Sequence, residues 1–157
     1  MPGRLRNPLL LALLVAAVAL GACGGGDDRE RKNTYVRELN AAQAEFATDA
    51  DAVSKERIPE GTSGRIRLVQ RLQGAIDEVV VKLRAIDVPG DVRAEHQRLI
   101  DVMTGFRAAV QKLTQTYRGG DKRKVSAAVD AFEQSRVHVG TRINATIDAI
   151  NSKLVGT

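Results

Sequence analysis

The chain has 157 residues, with 24 lysines and arginines against 19 acidic residues, and a formal net charge of +5 at pH 7. A chain of this length with 43% hydrophobic residues can bury one core and not two, so it predicts a single folded domain. Its five aromatic residues are too few for a platform on which bases stack, so we expect no nucleic-acid partner. The single cysteine has no disulfide partner within the chain.

The first 22 residues have the pattern of a secretory signal peptide. Arg4 and Arg6 make the start positive, and the 12 residues from Leu9 to Leu20 carry no charge. A membrane-spanning helix needs about 20 apolar residues, so this run is too short to span and suits a signal-peptide core. The run closes on Leu20-Gly21-Ala22-Cys23, which resembles the lipobox of bacterial lipoproteins.

The resemblance implies that residues 1–22 are cleaved off and that Cys23 is lipidated. A diacylglyceryl thioether and further acyl chains such as palmitate would then anchor the protein to the cell membrane, outside the bacterial cytoplasm. Two or three chains hold a protein stably, whereas one chain holds it only weakly. The alternative is an ordinary signal peptide, or an uncleaved anchor, with an incidental cysteine.

The residues after Cys23 predict a tether and then a first helix. Gly24-Gly25-Gly26 and a charged stretch of no net charge predict a short flexible tether over residues 23–32. Asn33 and Thr34 are suitable capping residues for a helix. The apolar residues of this helix recur at steps of three and four: Tyr35, Leu39, Ala42, Phe46, Ala50 and Val53.

Two breaks delimit a second and a third helix. Pro59 and Gly61 interrupt the pattern, and Thr62 or Ser63 is expected to cap the second helix. Pro89 is expected at the first position of the third helix. The apolar lines are Val69, Leu72, Ile76, Val79, Leu83 and Ile86 in the second helix, and Val92, His96, Leu99, Met103, Phe106, Val110, Leu113 and Tyr117 in the third.

A fourth helix completes the domain. Gly119-Gly120 is expected to end the third helix, and Asp121 to cap the fourth. Four long amphipathic helices joined by short breaks predict an all-α, up-down-up-down antiparallel four-helix bundle over residues 33–157. The fourth apolar line is Val125, Ala128, Phe132, Val139, Ile143, Ile147, Ile150 and Leu154. In this topology the start of the first helix, residues 87–91 and the C-terminus face the membrane.

The sequence gives little support for an enzyme. It contains no Gly-rich phosphate loop, no HExxH and no nucleophile elbow. A di-iron bundle needs Glu-x-x-His pairs on two helices, whereas Glu95 directly precedes His96. We therefore expect no catalytic residue, no metal site and no cofactor.

His96 stands where the apolar line of the third helix predicts an aliphatic residue. Antiparallel register places it near Leu83, Ile143 and the turn that begins at Tyr35. One interpretation is a polar residue at the core edge, hydrogen-bonded to a neighbour such as the Tyr35 hydroxyl. The other is a polar contact inside a small ligand cavity formed at His96 and Tyr35.

Positive charge gathers at the opposite end of the predicted bundle. Residues 55–67 and 118–124 contain eight lysines and arginines against three acids. Five of these cations lie at the positive starts of the second and fourth helices, where each costs roughly a few tenths of a kcal/mol: Arg65, Arg67, Lys122, Arg123 and Lys124. Residues that are locally unfavourable, such as cations at the positive start of a helix, often have a functional role. These five are therefore candidates for contact with an anionic envelope polymer or a protein partner. The alternative is that they are solvated helix ends.

The body of the chain resembles small uncharacterised helical lipoproteins of high-GC actinobacteria. The residues behind this resemblance are Tyr35-Val36, Asn40, Ala42-Gln43, Phe46, Pro89, Val92, His96 and Leu99. That group has no assigned activity, so the resemblance implies no site residues. We expect a non-enzymatic interaction or spacer module of the cell envelope. The alternative is a small-ligand carrier or sensor with a cavity between helices near His96.

Overall fold

The computed structural model describes residues 26–155, and over this range the protein is an all-α four-helix bundle without strands. Helix α1 is Gly26–Lys55, α2 is Thr62–Ala85, α3 is Arg93–Gly119 and α4 is Lys122–Val155, with a 3-10 turn at Gly90–Val92. The predicted signal peptide and Cys23 lie outside the described residues. No helix in the described range is both long enough and apolar enough to cross a membrane.

Helix α1 begins at Gly26, earlier than the start predicted at Asn33. Residues 26–32 are therefore helix and not part of a flexible tether. Asp27 and Asp28 lie in the first turn, where acids offset the positive end of the helix dipole. The ammonium group of Lys32 contacts Asp28 at 3.1 Å, one helical turn away. These charges stabilise an early helix start, which is why the balanced charge of the segment does not indicate a linker.

Helices α2 and α3 start differently from the predictions. The expected hydroxyl cap from Thr62 or Ser63 is wrong, because α2 follows Gly61 at φ 86° without a side-chain cap. The left-handed Gly61 turns the chain so that both hydroxyl residues already belong to the first turn of the helix. Pro89 precedes the 3-10 turn and does not open α3.

The turn between α3 and α4 confirms the prediction. Helix α3 ends at Gly119, and Gly120 has a left-handed φ of 71°, a conformation that favours glycine. Oδ1 of Asp121 accepts hydrogen bonds from the backbone N–H groups of Arg123 at 3.0 Å and Lys124 at 3.2 Å. This short connection makes α3 and α4 antiparallel neighbours.

Each helix packs mainly on its neighbour in the chain: α1 on α2, α2 on α3, and α3 on α4. The pairs run antiparallel, as two ion pairs to α2 illustrate: Glu45 of α1 pairs with Lys82, and Glu56, the residue after α1, pairs with Arg71. Within the described residues α1 and α4 make no comparably extensive contact. Helix α3 is therefore the central helix of the bundle.

The core is centred on α3, where seven residues of the predicted apolar line are buried, and the eighth, Val92, is buried in the 3-10 turn just before it. The other three helices bury their apolar lines mainly toward the end where α1 begins: Tyr35, Leu39, Ala42, Phe46, Ile76, Val79, Leu83, Ile143, Ile150 and Leu154. Most half-buried members of these lines lie toward the opposite end: Ala50, Val53, Val69, Leu72, Val125, Ala128, Phe132 and Val139. The bundle is therefore closed at one end and more open at the other.

We call the closed end the paired pole, formed by the start of α1, residues 86–92 and the end of α4. The opposite end, formed by residues 55–67 and 118–124, is the basic pole. At about 1.5 Å per residue, the 27 residues of α3 separate the two poles by about 40 Å.

Candidate functional site

His96 lies in the paired pole and joins three helices. Its ring is buried, with Nδ1 3.2 Å from the Tyr35 hydroxyl of α1 and Nε2 2.8 Å from the backbone carbonyl of Leu83 in α2. The Tyr35 and His96 rings meet edge to face, with their centroids 5.6 Å apart. The structure thus brings together the two residues that the sequence indicated as a pair.

The two hydrogen bonds fix the tautomer of His96. A carbonyl oxygen only accepts, so Nε2 carries the hydrogen and donates it to Leu83, while Nδ1 accepts the hydroxyl hydrogen of Tyr35. Burial lowers the pKa of His96, against the opposing effect of the bond to Leu83. Burial, with a smaller contribution from the Glu95 carboxylate, raises the pKa of Tyr35. Both rings are neutral at pH 7, and neither nitrogen of His96 is left for a ligand, which favours the interpretation as a polar core residue.

Glu95, the residue before His96, is a second buried polar group of the paired pole. Nζ of Lys153, near the end of α4, lies 3.0 Å from each carboxylate oxygen of Glu95, and Nη1 of Arg98 lies 3.4 Å away. The hydrogen bond from Lys153 is the largest cause of the lowered pKa of Glu95, against the opposing effect of burial. Glu95 thereby ties the start of α3 to the end of α4.

Lys32 makes the corresponding connection on the side of α1. Its Nζ lies 3.0 Å from Asp91 in the turn before α3, and hydrogen bonds to Asp91 and then Asp28 raise the pKa of Lys32. A more exposed pair, Arg31 with Asp87 at 3.8 Å, lies on the same side. The sequence pattern does not identify Asp91 and Asp87 as partners, because they are distant in the chain from Lys32 and Arg31 and their pairing depends on helix register.

The basic pole collects exposed cations from four segments. One follows α1, two lie in the first turns of α2, one lies at the end of α3 and three open α4. Within the described part of the chain none of these seven side chains forms an ion pair: Arg57, Arg65, Arg67, Arg118, Lys122, Arg123 and Lys124. By contrast, the nearby Lys55 and Arg71 pair with Asp51 and Glu56. The pole therefore carries positive charge that the fold itself does not neutralise.

The helices that start at the basic pole also have fewer acids in their first turns than the helices that start at the paired pole. The first turns of α1 and α3 contain acids, whereas those of α2 and α4 contain none. Asp121 is the acid nearest the start of α4, and its carboxylate bonds to backbone N–H groups. The structure thus brings Arg65, Arg67 and the 122–124 run to one end of the bundle, as the sequence predicted, while their contact with a partner stays a prediction.

A groove of about 760 Å³ runs between α3 and α4 beside the basic pole. Its lining is mostly small or apolar and includes Leu113 and Phe132, with Lys112, Asp121 and Lys124 as its charged members. Phe132 stacks on Phe106 of α3 at a centroid distance of 5.8 Å. This groove does not contain His96 or Tyr35, the residues of the predicted ligand cavity.

Three or more His, Cys, Asp or Glu side chains placed to hold a metal ion are not found among residues 26–155. The second histidine, His138, is exposed on α4, away from His96. Comparison of the chain with protein-family models, with curated proteins and with solved structures gives no match.

Proposed function

We propose that the protein is a membrane-anchored, extracytoplasmic lipoprotein whose helical bundle is a non-enzymatic interaction and spacer module of the cell envelope. One observation carries the proposal: an uncharged apolar run ends in Leu20-Gly21-Ala22-Cys23, and Cys23 is the only cysteine of the chain. An exported thiol without a disulfide partner is reactive, and a thioether to a diacylglyceryl group would remove that reactivity.

The start of α1 supports a close attachment to the membrane. Helix α1 begins at Gly26, three residues after Cys23. Three residues reach at most about 10 Å, so a lipid on Cys23 would hold the paired pole near the bilayer surface. The basic pole would then stand at the other end of the bundle, about 40 Å away along α3.

The uneven distribution of charge supports an interaction role. The ion pairs of Lys32 and Glu95 hold α1, α3 and α4 together at the paired pole, as a support for the anchor requires. Seven exposed cations without ion pairs lie at the opposite pole, against two, Arg84 and Arg93, beside the paired pole. An anchored module needs its contact surface away from the anchor, and this arrangement supplies one. The bonds that occupy both nitrogens of His96 give the ligand-carrier alternative no such support.

The anchor is tested with a Cys23→Ser variant expressed in the bacterium that encodes the protein. We expect wild-type protein in the membrane pellet without its leader. Cys23→Ser has no sulfur to acylate, so it is expected to keep the leader, 22 residues longer on a gel. Ala12→Ser, a conservative change within the apolar run, is the control and should behave as wild type. Identical processing of Cys23→Ser and wild type would contradict the proposal.

A further inference from the structure

The charge of the basic pole points to a partner. We infer that this pole is the binding surface for a linear polyanion, a polymer that carries phosphate or carboxylate groups along its length. The inference deepens the proposed function and rests on it, since it names the partner of the interaction module. It can be tested separately, because binding at this pole does not require that the lipid anchor exists.

The first observation is the absence of neutralising partners. Eight of the fourteen described cations outside the basic pole form ion pairs with acids: Arg31, Lys32, Arg71, Lys82, Arg98, Arg107, Arg136 and Lys153. Of the eight exposed cations of the basic pole only Lys55 forms an ion pair with a described residue, with Asp51, and the other seven form none. A polyanion bound across these cations would form ion pairs with them, and it would release the counterions that the polymer holds in free solution.

The second observation is the arrangement of the cations around the end of the bundle. Lys122, Arg123 and Lys124 are consecutive in α4, so their side chains leave the helix about 100° apart and fan out. Arg65 and Arg67 are two positions apart in α2, so their side chains leave that helix about 200° apart, on nearly opposite sides. A surface that presents charge in several directions suits a flexible chain with repeated anionic groups better than a single compact anion.

The third observation separates a polymer from a folded partner. Protein interfaces have an apolar centre with charged residues at the rim. Four large apolar side chains are strongly exposed within the described range: Ile58, Val81, Val137 and Val155. Of these, Ile58, at 59% exposure, is the one that lies at the basic pole. Apart from Ile58 and the groove between α3 and α4, the exposed side chains at this end of the bundle are mostly charged, which favours a polymer with charged groups over an acidic protein surface.

The test compares two variants that remove the same charge. Lys122→Ala/Arg123→Ala/Lys124→Ala removes three cations from the basic pole. Its matched control, Arg84→Ala/Arg93→Ala/Arg142→Ala, removes three exposed cations without ion pairs from the rest of the bundle. Protein purified from the bacterium that encodes it is titrated in detergent solution, without selection for a lipid on Cys23, with long-chain polyphosphate, poly-glutamate, dextran and ovalbumin, a folded acidic protein. Circular dichroism checks that both variants keep wild-type helix content.

We expect wild type and the control to bind at least one of the two polyanions, with affinity that falls as salt rises, and not to bind dextran. Each lost cation weakens binding about fivefold, so the basic-pole variant should bind roughly a hundredfold more weakly. Polyphosphate and poly-glutamate distinguish phosphate from carboxylate recognition.

Three results would overturn the inference. These are no binding of either polyanion by wild type, an equal loss in both variants, and tighter binding of ovalbumin than of either polymer. A protein that binds polyanion in this way but lacks a lipid on Cys23 would refute the proposed function and leave this inference standing.

Discussion

The hydrogen bond between Tyr35 and His96 gives a direct test of how the paired pole is held together. Tyr35→Phe removes the hydrogen that Nδ1 of His96 accepts, at a tyrosine with 0% exposure. A buried polar atom left without a partner costs about 1–3 kcal/mol. For a domain of this size 1 kcal/mol shifts Tm by about 4 °C, so we expect the Tm to fall by about 4–12 °C.

Tyr117→Phe is the matched control. Tyr117 is also buried, at 9% exposure, and its hydroxyl forms no hydrogen bond with another described residue. We expect this variant to change the free energy of unfolding by less than about 0.5 kcal/mol. Both are measured by thermal unfolding followed by circular dichroism at pH 7.5. Equal Tm losses in the two variants, or no loss in Tyr35→Phe, would refute the role assigned to this bond.

Three further predictions concern pH and the helix starts. Folding lowers the pKa of His96, so below the unfolded value of about 6.5 the unfolded chain binds the extra proton. The free energy of unfolding should therefore decrease as the pH is lowered below about 6.5, by at most about 1.4 kcal/mol per pH unit. His96→Leu should reduce this slope. Gly64→Ala places a Cβ against the Pro59 ring and should cost about 1–3 kcal/mol, whereas Gly74→Ala, where the space is open, should stabilise by up to about 1 kcal/mol. Asp121→Ala removes the cap of α4 and should cost about 1 kcal/mol.

Denaturant unfolding between pH 5.0 and 7.5 measures all of these effects. A pH slope that is unchanged in His96→Leu would assign the dependence to other groups. Equal stability of Gly64→Ala and Gly74→Ala would show that the loop at Pro59 yields without cost. Full stability of Asp121→Ala would mean that the start of α4 does not need its carboxylate cap.

The sequence predicts the central helix best, for a physical reason. Helix α3 has neighbours along its whole length, so every apolar residue on its line is buried and the pattern alone identifies them. In α1 and α4 the spacing of the apolar residues identifies the face that points inward. It does not show how many neighbouring helices cover that face. Ala50, Val53 and Phe132 are therefore only half-buried.

The early start of α1 and the unforeseen ion pairs between helices have a related cause. The early start of α1 involves Lys32 and its contact with Asp91, and the pair of Glu95 with Lys153 spans 58 residues. Such contacts depend on the register in which helices pack, which local spacing does not encode. The pairing of His96 with Tyr35 is predictable because both lie on apolar lines that an antiparallel bundle brings to one level.

The central claim is that a lipid on Cys23 holds this bundle at the outer surface of a bacterial membrane. The most direct measurement is the mass of the N-terminal peptide from protein extracted from the membranes of the bacterium that encodes it. We expect a peptide that begins at Cys23 and carries a diacylglyceryl group with further acylation. A peptide that retains residues 1–22 with an unmodified thiol would contradict it.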